Sequence, residues 1–223
     1  MIGIWKIKKS FNKMKEFKLE KGTVFYEEHL DAGGTTFGVN CLKNPSVNQH
    51  IKKGKILEMC SGPGFMGFYL NFEGYADELY LSDINLENEF YIKETINKNS
   101  LTNTKFINSN VFDSFNDDII FDTIVINPPH YSTPRPGGYN DEYEKLISLD
   151  LDMNIHKNFF IQVKKFMNYD SRIILIENAG GISADDIINL TKNDFDIEIG
   201  EYNRYGWIRD SKFYTVVLRL NRQ

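Results

Sequence analysis

Cysteine is nearly absent from this chain of 223 residues: Cys41 and Cys60 stand alone. They form neither a disulfide framework nor a metal-ligand spacing, so a reducing cytoplasm is the default setting. Long apolar runs are missing as well. No segment approaches the uninterrupted hydrophobic length of a membrane helix, and the opening MIGIWKIKKSF lacks the core and cleavage site of a signal peptide. A soluble cytoplasmic protein with no membrane partner is expected. Proline is scarce: four of the six, Pro128, Pro129, Pro134 and Pro136, gather in one loop with Gly137 and Gly138. Helical and strand patterns resume at once beyond it. Such a loop reads as a lid or binding loop rather than a domain linker.

Positive charge is in deficit. The net charge of −5 argues against sequence-independent binding along a nucleic-acid backbone. The deficit is uneven, however: Lys6, Lys8, Lys9, Lys13, Lys15, Lys18 and Lys21 face only Glu16 and Glu20. A solvated basic arm and a phosphate-contacting arm both remain open. Of the four histidines, His29, His50 and His156 have no partner pattern and read as structural or surface residues. The length suits one well-buried domain.

What is present from Lys55 onward is regular. Strand-like runs occur at 55–60, 78–83, 105–110, 121–127 and 172–177, with helices expected over 65–73, 86–99, 141–168 and 184–192. Ser183 reads as the cap of the last helix, ahead of Asp185 and Asp186. Short apolar strands alternating with helices indicate a doubly wound α/β fold built on a mostly parallel sheet. Runs 195–202 and 211–220 are joined only by RYGWIRD, too short for a parallel crossover, so they should pair antiparallel. Before this block, TVFYEEHL from Thr23 suggests a short strand, and residues 31–38 a flexible loop. The expected division is an N-terminal basic arm and extension at 1–49 and a catalytic domain at 50–223.

The most informative stretch is FDTIVINPPHY, residues 121–131. An apolar strand ends in two prolines, which cannot continue a ladder and which stiffen the turn. That turn can present the Asn127 side-chain carbonyl and the Pro128 backbone carbonyl as convergent acceptors for a planar NH2 group. His130 or Tyr131 could then stack on the attached ring. Asn-Pro is also an ordinary turn initiator, so an architectural role stays open.

The first strand runs into Cys60-Ser61-Gly62-Pro63-Gly64-Phe65-Met66-Gly67, and residues 62–67 match G-x-G-x-x-G. Two details oppose a dinucleotide. Pro63 removes an N–H from the loop that would cradle a pyrophosphate, and Glu58 would repel phosphates. A cationic ligand such as S-adenosylmethionine suits the turn better. Asp83 ends the second strand roughly 20 residues after the first glycine, where an acid reaches ribose hydroxyls. A helix-capping role competes, with Asn85 adjacent. Asn110 could read an adenine edge while Val111 and Phe112 pack on the ring, unless Asn110 is only a turn residue.

With ILEMCSGPGFMGF, LSDIN, NVFD and INPPH in this order, the chain resembles the class I S-adenosylmethionine-dependent methyltransferases. It is most similar to the branch with an Asn-Pro-Pro-aromatic turn, which includes nucleic-acid and protein N-methyltransferases. The resemblance covers about residues 50–220. It implies a Rossmann-like, mostly parallel seven-stranded sheet with an antiparallel C-terminal strand. It also implies that Glu58, Cys60, Ser61, Gly62 and Gly64 line the methionine end of S-adenosyl-L-methionine. Asp83 would hold its ribose, and Asn110, Val111 and Phe112 its adenine. Asn127, Pro128, Pro129, His130 and Tyr131 would form the catalytic turn, with no metal. His130 departs from the usual Tyr, Phe or Trp and leaves the acceptor open among small molecules, protein side chains and nucleic-acid bases. Net charge favours the first two, whereas Tyr202, Tyr205 and Trp207 could contact RNA. The alternatives are a non-catalytic nucleotide-fold binding protein and a NAD-dependent oxidoreductase.

Overall fold

A computed structural model of the chain describes residues 14–200 and 213–222. Lys6, Lys8, Lys9, Lys13, Tyr202, Tyr205 and Trp207 lie outside the described residues. Seven strands form one sheet: β3 (Gly54–Met59), β4 (Ala76–Asp83), β5 (Thr104–Asn108), β6 (Thr123–Ile126), β7 (Arg172–Asn178), β8 (Phe195–Ile199) and β9 (Phe213–Leu220). Their order is β5-β4-β3-β6-β7-β9-β8. Strands β3 to β7 pair in parallel, and β9 runs antiparallel to both β7 and β8. The expected mixed sheet with its antiparallel C-terminal strand is therefore present.

The parallel strands are apolar on both faces because both are covered. Ile56, Leu79, Val125 and Ile174 pack on one side with α1 (Val39–Lys43), α2 (Pro45–Asn48), α3 (Phe65–Phe72) and α4 (Asn88–Lys98). Leu57, Ile124, Ile126, Ile173 and Leu175 pack on the other with α6 (Asn154–Gln162) and α7 (Ala184–Thr191). Each fully buried side chain of this size contributes about 1.5–3 kcal/mol. Ser183 caps α7 as expected, with a reciprocal bond to Asp186.

Before the sheet, β1 (Lys15–Lys18) and β2 (Thr23–Tyr26) form an antiparallel hairpin. Thr95 of α4 and Asn99, which caps that helix, hold it through the Phe25 and Thr23 amides, at 2.9 and 3.0 Å. Val24 joins the same core as Leu42 and Phe65. The loop expected at 31–38 is instead a wide helical turn, Gly34–Gly38, that runs into α1. The Asp31 carboxylate accepts the Gly33 amide at 2.9 Å, and Phe37 stacks on Phe213 at 4.2 Å.

The long helix expected over 141–168 is broken. It becomes α5 (Glu142–Ser148), a short 3-10 turn at Leu151–Met153, and α6. Leu149 is extended, and Asp152 and Met153 have φ of 56° and 58°. The cause is Asp150, whose carboxylate accepts the Ile155 and His156 amides at 2.7 and 3.1 Å and starts a new helix. Among the described residues, no helix is long and apolar enough to cross a membrane.

Candidate active site

Strand register builds the site. Met59 lies opposite Ser82 on one side and Ile126 on the other, so the chain leaves β3, β4 and β6 at one level. Cys60, Asp83 and Asn127 thus stand in a row at the carboxyl ends. The strand order reverses between β3 and β6, the crevice where open α/β sheets bind ligands. A cavity of about 230 Å³ opens there.

Its floor is acidic. Glu58 is buried in β3, and its Oε2 accepts the Gly67 amide in the first turn of α3 at 2.7 Å. Burial nevertheless pushes its carboxyl up to about 8, against the opposing pull of the Gly67 and Met66 amides. Asp83 accepts the Gly62 amide at 2.7 Å and the Asn85 amide at 2.8 Å. Burial also raises its carboxyl above the usual range, despite those amides and the Asn88 side chain. Among the described residues, no cation acts on either acid. Burying carboxylates without a cation is costly.

The walls carry strain and unpaired polar atoms. Cys60 and Val111 have φ of 54° and 50°, in the left-handed region, and both line the cavity. For a β-branched residue such a conformation is a genuine outlier, costing about 1–3 kcal/mol. Burial pushes the Cys60 thiol well above its usual range, so it is a neutral lining group rather than a nucleophile. The side-chain oxygens of Asn88 and Asn127 are buried and, among the described residues, accept no hydrogen bond. Both residues line the cavity.

These features fit S-adenosylmethionine. Two buried acids without a cation suit a sulfonium and an ammonium, and Asp83 stands ready for hydroxyls. They do not fit a pyrophosphate, because the Gly62 amide turns to Asp83 and Pro63 has no N–H to offer. The oxidoreductase alternative fails on the same geometry.

Most of the residues expected at the site meet at this cavity. Glu58, Cys60, Ser61, Gly62, Asp83, Asn110, Val111, Asn127 and Pro129 line it. Asn110 is exposed, with its amide 3.3 Å from Asp113. Gly64 sits behind the wall as the left-handed start of α3 (φ 87°), where a Cβ would meet Leu81 and Phe68. Phe112 turns into the core and stacks on Phe166 at 4.4 Å. Pro128 is buried behind the turn. His130 binds Glu177 at 3.0 Å and meets Phe213 edge-on. Tyr131 faces Arg135, which also lies over Tyr139 and pairs with Glu144. Tyr131, Arg135 and Tyr139 of the proline loop therefore engage one another.

Other residues gave no sequence signal. Leu30, Ala32 and Gly34 supply one wall, and Tyr143, Leu146 and Ile147 of α5 supply another. Asn88 reads in sequence as one more polar residue near a helix start, yet it is 1% exposed. Its inward direction follows from how α4 docks. His156, expected to be structural or superficial, is buried between Asp150 and Glu177 at 2.6 Å from each.

Comparison with known proteins agrees with this geometry. Residues 16–135, more than half of the chain, match the family described as methyltransferase small domain. The chain is 31% identical over 157 residues to ribosomal RNA small subunit methyltransferase C of Haemophilus ducreyi, covering 70% of this chain and 40% of that protein. The chain thus spans less than half the length of this relative. Among solved structures it resembles the tRNA (uracil-54, C5)-methyltransferase of Pyrococcus abyssi in complex with S-adenosyl-L-homocysteine. The TM-score is 0.64 at 15% identity, over 93% of this chain and 44% of that one. The ribosomal protein L11 methylase of Lactobacillus delbrueckii subsp. bulgaricus gives 0.54 at 15% identity, over 77% and 72%. At such identities the structures share the fold. The chain belongs to the methyltransferase small domain family, the class I S-adenosylmethionine-dependent methyltransferases.

Proposed function

We propose that this methyltransferase acts on a nitrogen of an RNA base, held at the Asn127-Pro128-Pro129 turn. The observation that carries this reading is the buried Oδ1 of Asn127, unpaired among the described residues, on a residue that lines the cavity at the end of β6. A buried acceptor without a donor costs about 1–3 kcal/mol, so it is best explained by a donor that arrives with the substrate. An exocyclic amine brings two N–H groups. Asn127 Oδ1 takes one and the Pro128 carbonyl the other, which aims the nitrogen lone pair.

When bound, S-adenosylmethionine supplies an electrophilic methyl group on a sulfonium. Glu58 and the 60–64 turn hold its amino-acid end, Asp83 and Asn88 its ribose, and Val111 and Asn110 its adenine. The protein's contribution is positioning and exclusion of water, the latter through the α5 side chains Tyr143, Leu146 and Ile147. Residues 50–223 carry the chemistry, and the preceding segment completes the cavity with Leu30, Ala32 and Gly34.

The choice of RNA is supported by the names of the relatives, a ribosomal RNA methyltransferase and a tRNA methyltransferase. A net charge of −5 fits contact with a few unstacked nucleotides rather than tracking of a phosphate backbone. Labelled S-adenosylmethionine offered to cell extract, split into RNA, protein and metabolite fractions, tests it. Label is expected in RNA and lost with Asn127→Ala. Label confined to protein or metabolites would overturn the RNA assignment.

A further inference from the structure

Behind the acceptor turn, four ionisable side chains form one line. Asp150 Oδ2 lies 2.6 Å from His156 Nδ1, and His156 Nε2 lies 2.6 Å from Glu177 Oε1. Glu177 Oε2 lies 3.0 Å from His130 Nδ1. Asp150, His156 and Glu177 are buried, and His130, at the end of the line, is 13% exposed.

An ionised carboxylate only accepts, so both His156 nitrogens must donate, which makes it an imidazolium. Burial opposes that charge, but Glu177 and Asp150 overcome it and hold His156 up at about 9. Burial alone would raise Glu177, yet His156 and His130 keep it below its usual range. Its other oxygen then accepts a hydrogen bond from His130 Nδ1–H, leaving the lone pair on Nε2. The backbone is fastened at the same place. Tyr131 N donates to the Ser148 carbonyl at 3.0 Å, and Asp150 N donates to the Tyr131 carbonyl at 2.9 Å. Gly181 lies against the His130 carbonyl, where any Cβ would collide.

A buried charge line of this kind contributes little net stabilisation, because apolar residues of similar volume often do as well or better. We propose that Asp150, His156 and Glu177 are positioning residues acting through His130. They fasten the 127–131 turn, which carries Asn127, and hold His130 as the Nδ1–H tautomer with its proton turned to Glu177. The inference rests on the methyl-transfer reading above.

Long-range proton–nitrogen NMR of the wild-type protein near neutral pH reads the ring protons directly and needs no acceptor. His156 should show both nitrogens protonated, and His130 a proton on Nδ1 alone. A neutral His156, or a His130 proton on Nε2, would overturn the proposal. Glu177→Gln keeps the shape but gives His130 Nδ1 a donor instead of an acceptor, so its proton should move to Nε2. Affinity for S-adenosylhomocysteine should stay unchanged while kcat falls on the order of 100-fold, with KM little altered. If Glu177→Gln does not fold, the wild-type spectrum decides alone. Normal turnover by a folded Glu177→Gln would make the line merely structural and overturn the proposal. Wild-type protein that shows the expected tautomers but ignores S-adenosylhomocysteine would overturn the methyl-transfer reading, and with it the positioning role of the line.

Discussion

Asp83 and Gly62 are joined between the carboxyl ends of β4 and β3: the carboxylate Oδ2 accepts the Gly62 amide at 2.7 Å. One side chain from β4 thereby sets the glycine turn after β3 and stands ready for a ligand hydroxyl. Asp83→Ala leaves the Gly62 and Asn85 amides without their acceptor and removes the hydroxyl partner. Binding of S-adenosylhomocysteine should weaken by about 1–3 kcal/mol. Asp83→Asn retains one acceptor oxygen and should lose less. Calorimetry on both variants checks the order; equal affinities in all three proteins would remove Asp83 from the cofactor site.

Glu58 makes the cavity sensitive to pH. Its folded-state value of about 8 lies above the usual carboxylate range, because burial disfavours the charge. The folded chain therefore keeps a proton that the unfolded chain has lost. Its contribution to stability is full below the unfolded value and is lost as pH rises through about 8. His156, held at about 9, contributes in the same direction, between its unfolded value and its folded one. Glu58→Gln keeps an acceptor for the Gly67 amide but does not titrate. Denaturant unfolding at intervals from acid to pH 9 should show a shallower alkaline loss in the variant than in the wild type. Parallel curves would mean that Glu58 is ionised throughout.

The sheet was legible in the sequence because parallel strands buried on both faces are short continuous apolar runs. The glycine turn and Asp83 were legible because both lie at ends of those runs. The helix over 141–168 was not, since its composition suits a helix while the break depends on which amides the Asp150 carboxylate catches. His156 looked partnerless because Asp150 meets it only through the break that starts α6, and Glu177 only when α6 docks against β7. Phe112 followed Asn110 and Val111 in sequence, but the left-handed Val111 turns the chain so that its ring enters the core. Local pattern marks the strand ends; which side chain faces the crevice there is decided by packing.

Arg135 ties the proline loop to α5, and α5 covers the cavity. Its guanidinium pairs with Glu144 and lies 4.8 Å from the Tyr139 ring and 5.7 Å from that of Tyr131. Because Tyr143, Leu146 and Ile147 line the cavity, the loop affects the cofactor as well as the acceptor. Arg135→Ala should loosen α5 and weaken binding of S-adenosylhomocysteine several-fold, with added proteolysis between residues 132 and 141. Deleting residues 134–138 should do more. Unchanged affinity in both would confine the loop to the acceptor side.

Asn127 gives the sharpest test, because its effects on stability and on activity should run in opposite directions. Its Oδ1 is buried without a partner among the described residues, a penalty of about 1–3 kcal/mol that Ala would remove. Truncation also loses some packing, so Asn127→Ala should be near neutral or slightly more stable than the wild type in denaturant unfolding. Affinity for S-adenosylhomocysteine should hardly change, since Glu58, Asp83 and the 60–64 turn are intact. Methyl transfer should nevertheless fall on the order of 100-fold, the cost of losing one positioning contact on the attacking nitrogen. Asn127→Asp offers the same acceptor geometry but adds a third buried acid to Glu58 and Asp83. It should still accept from an exocyclic amine, at a clear cost in stability. An Asn127→Ala protein that is destabilised and fully active would make the turn architectural and leave the acceptor to be held elsewhere.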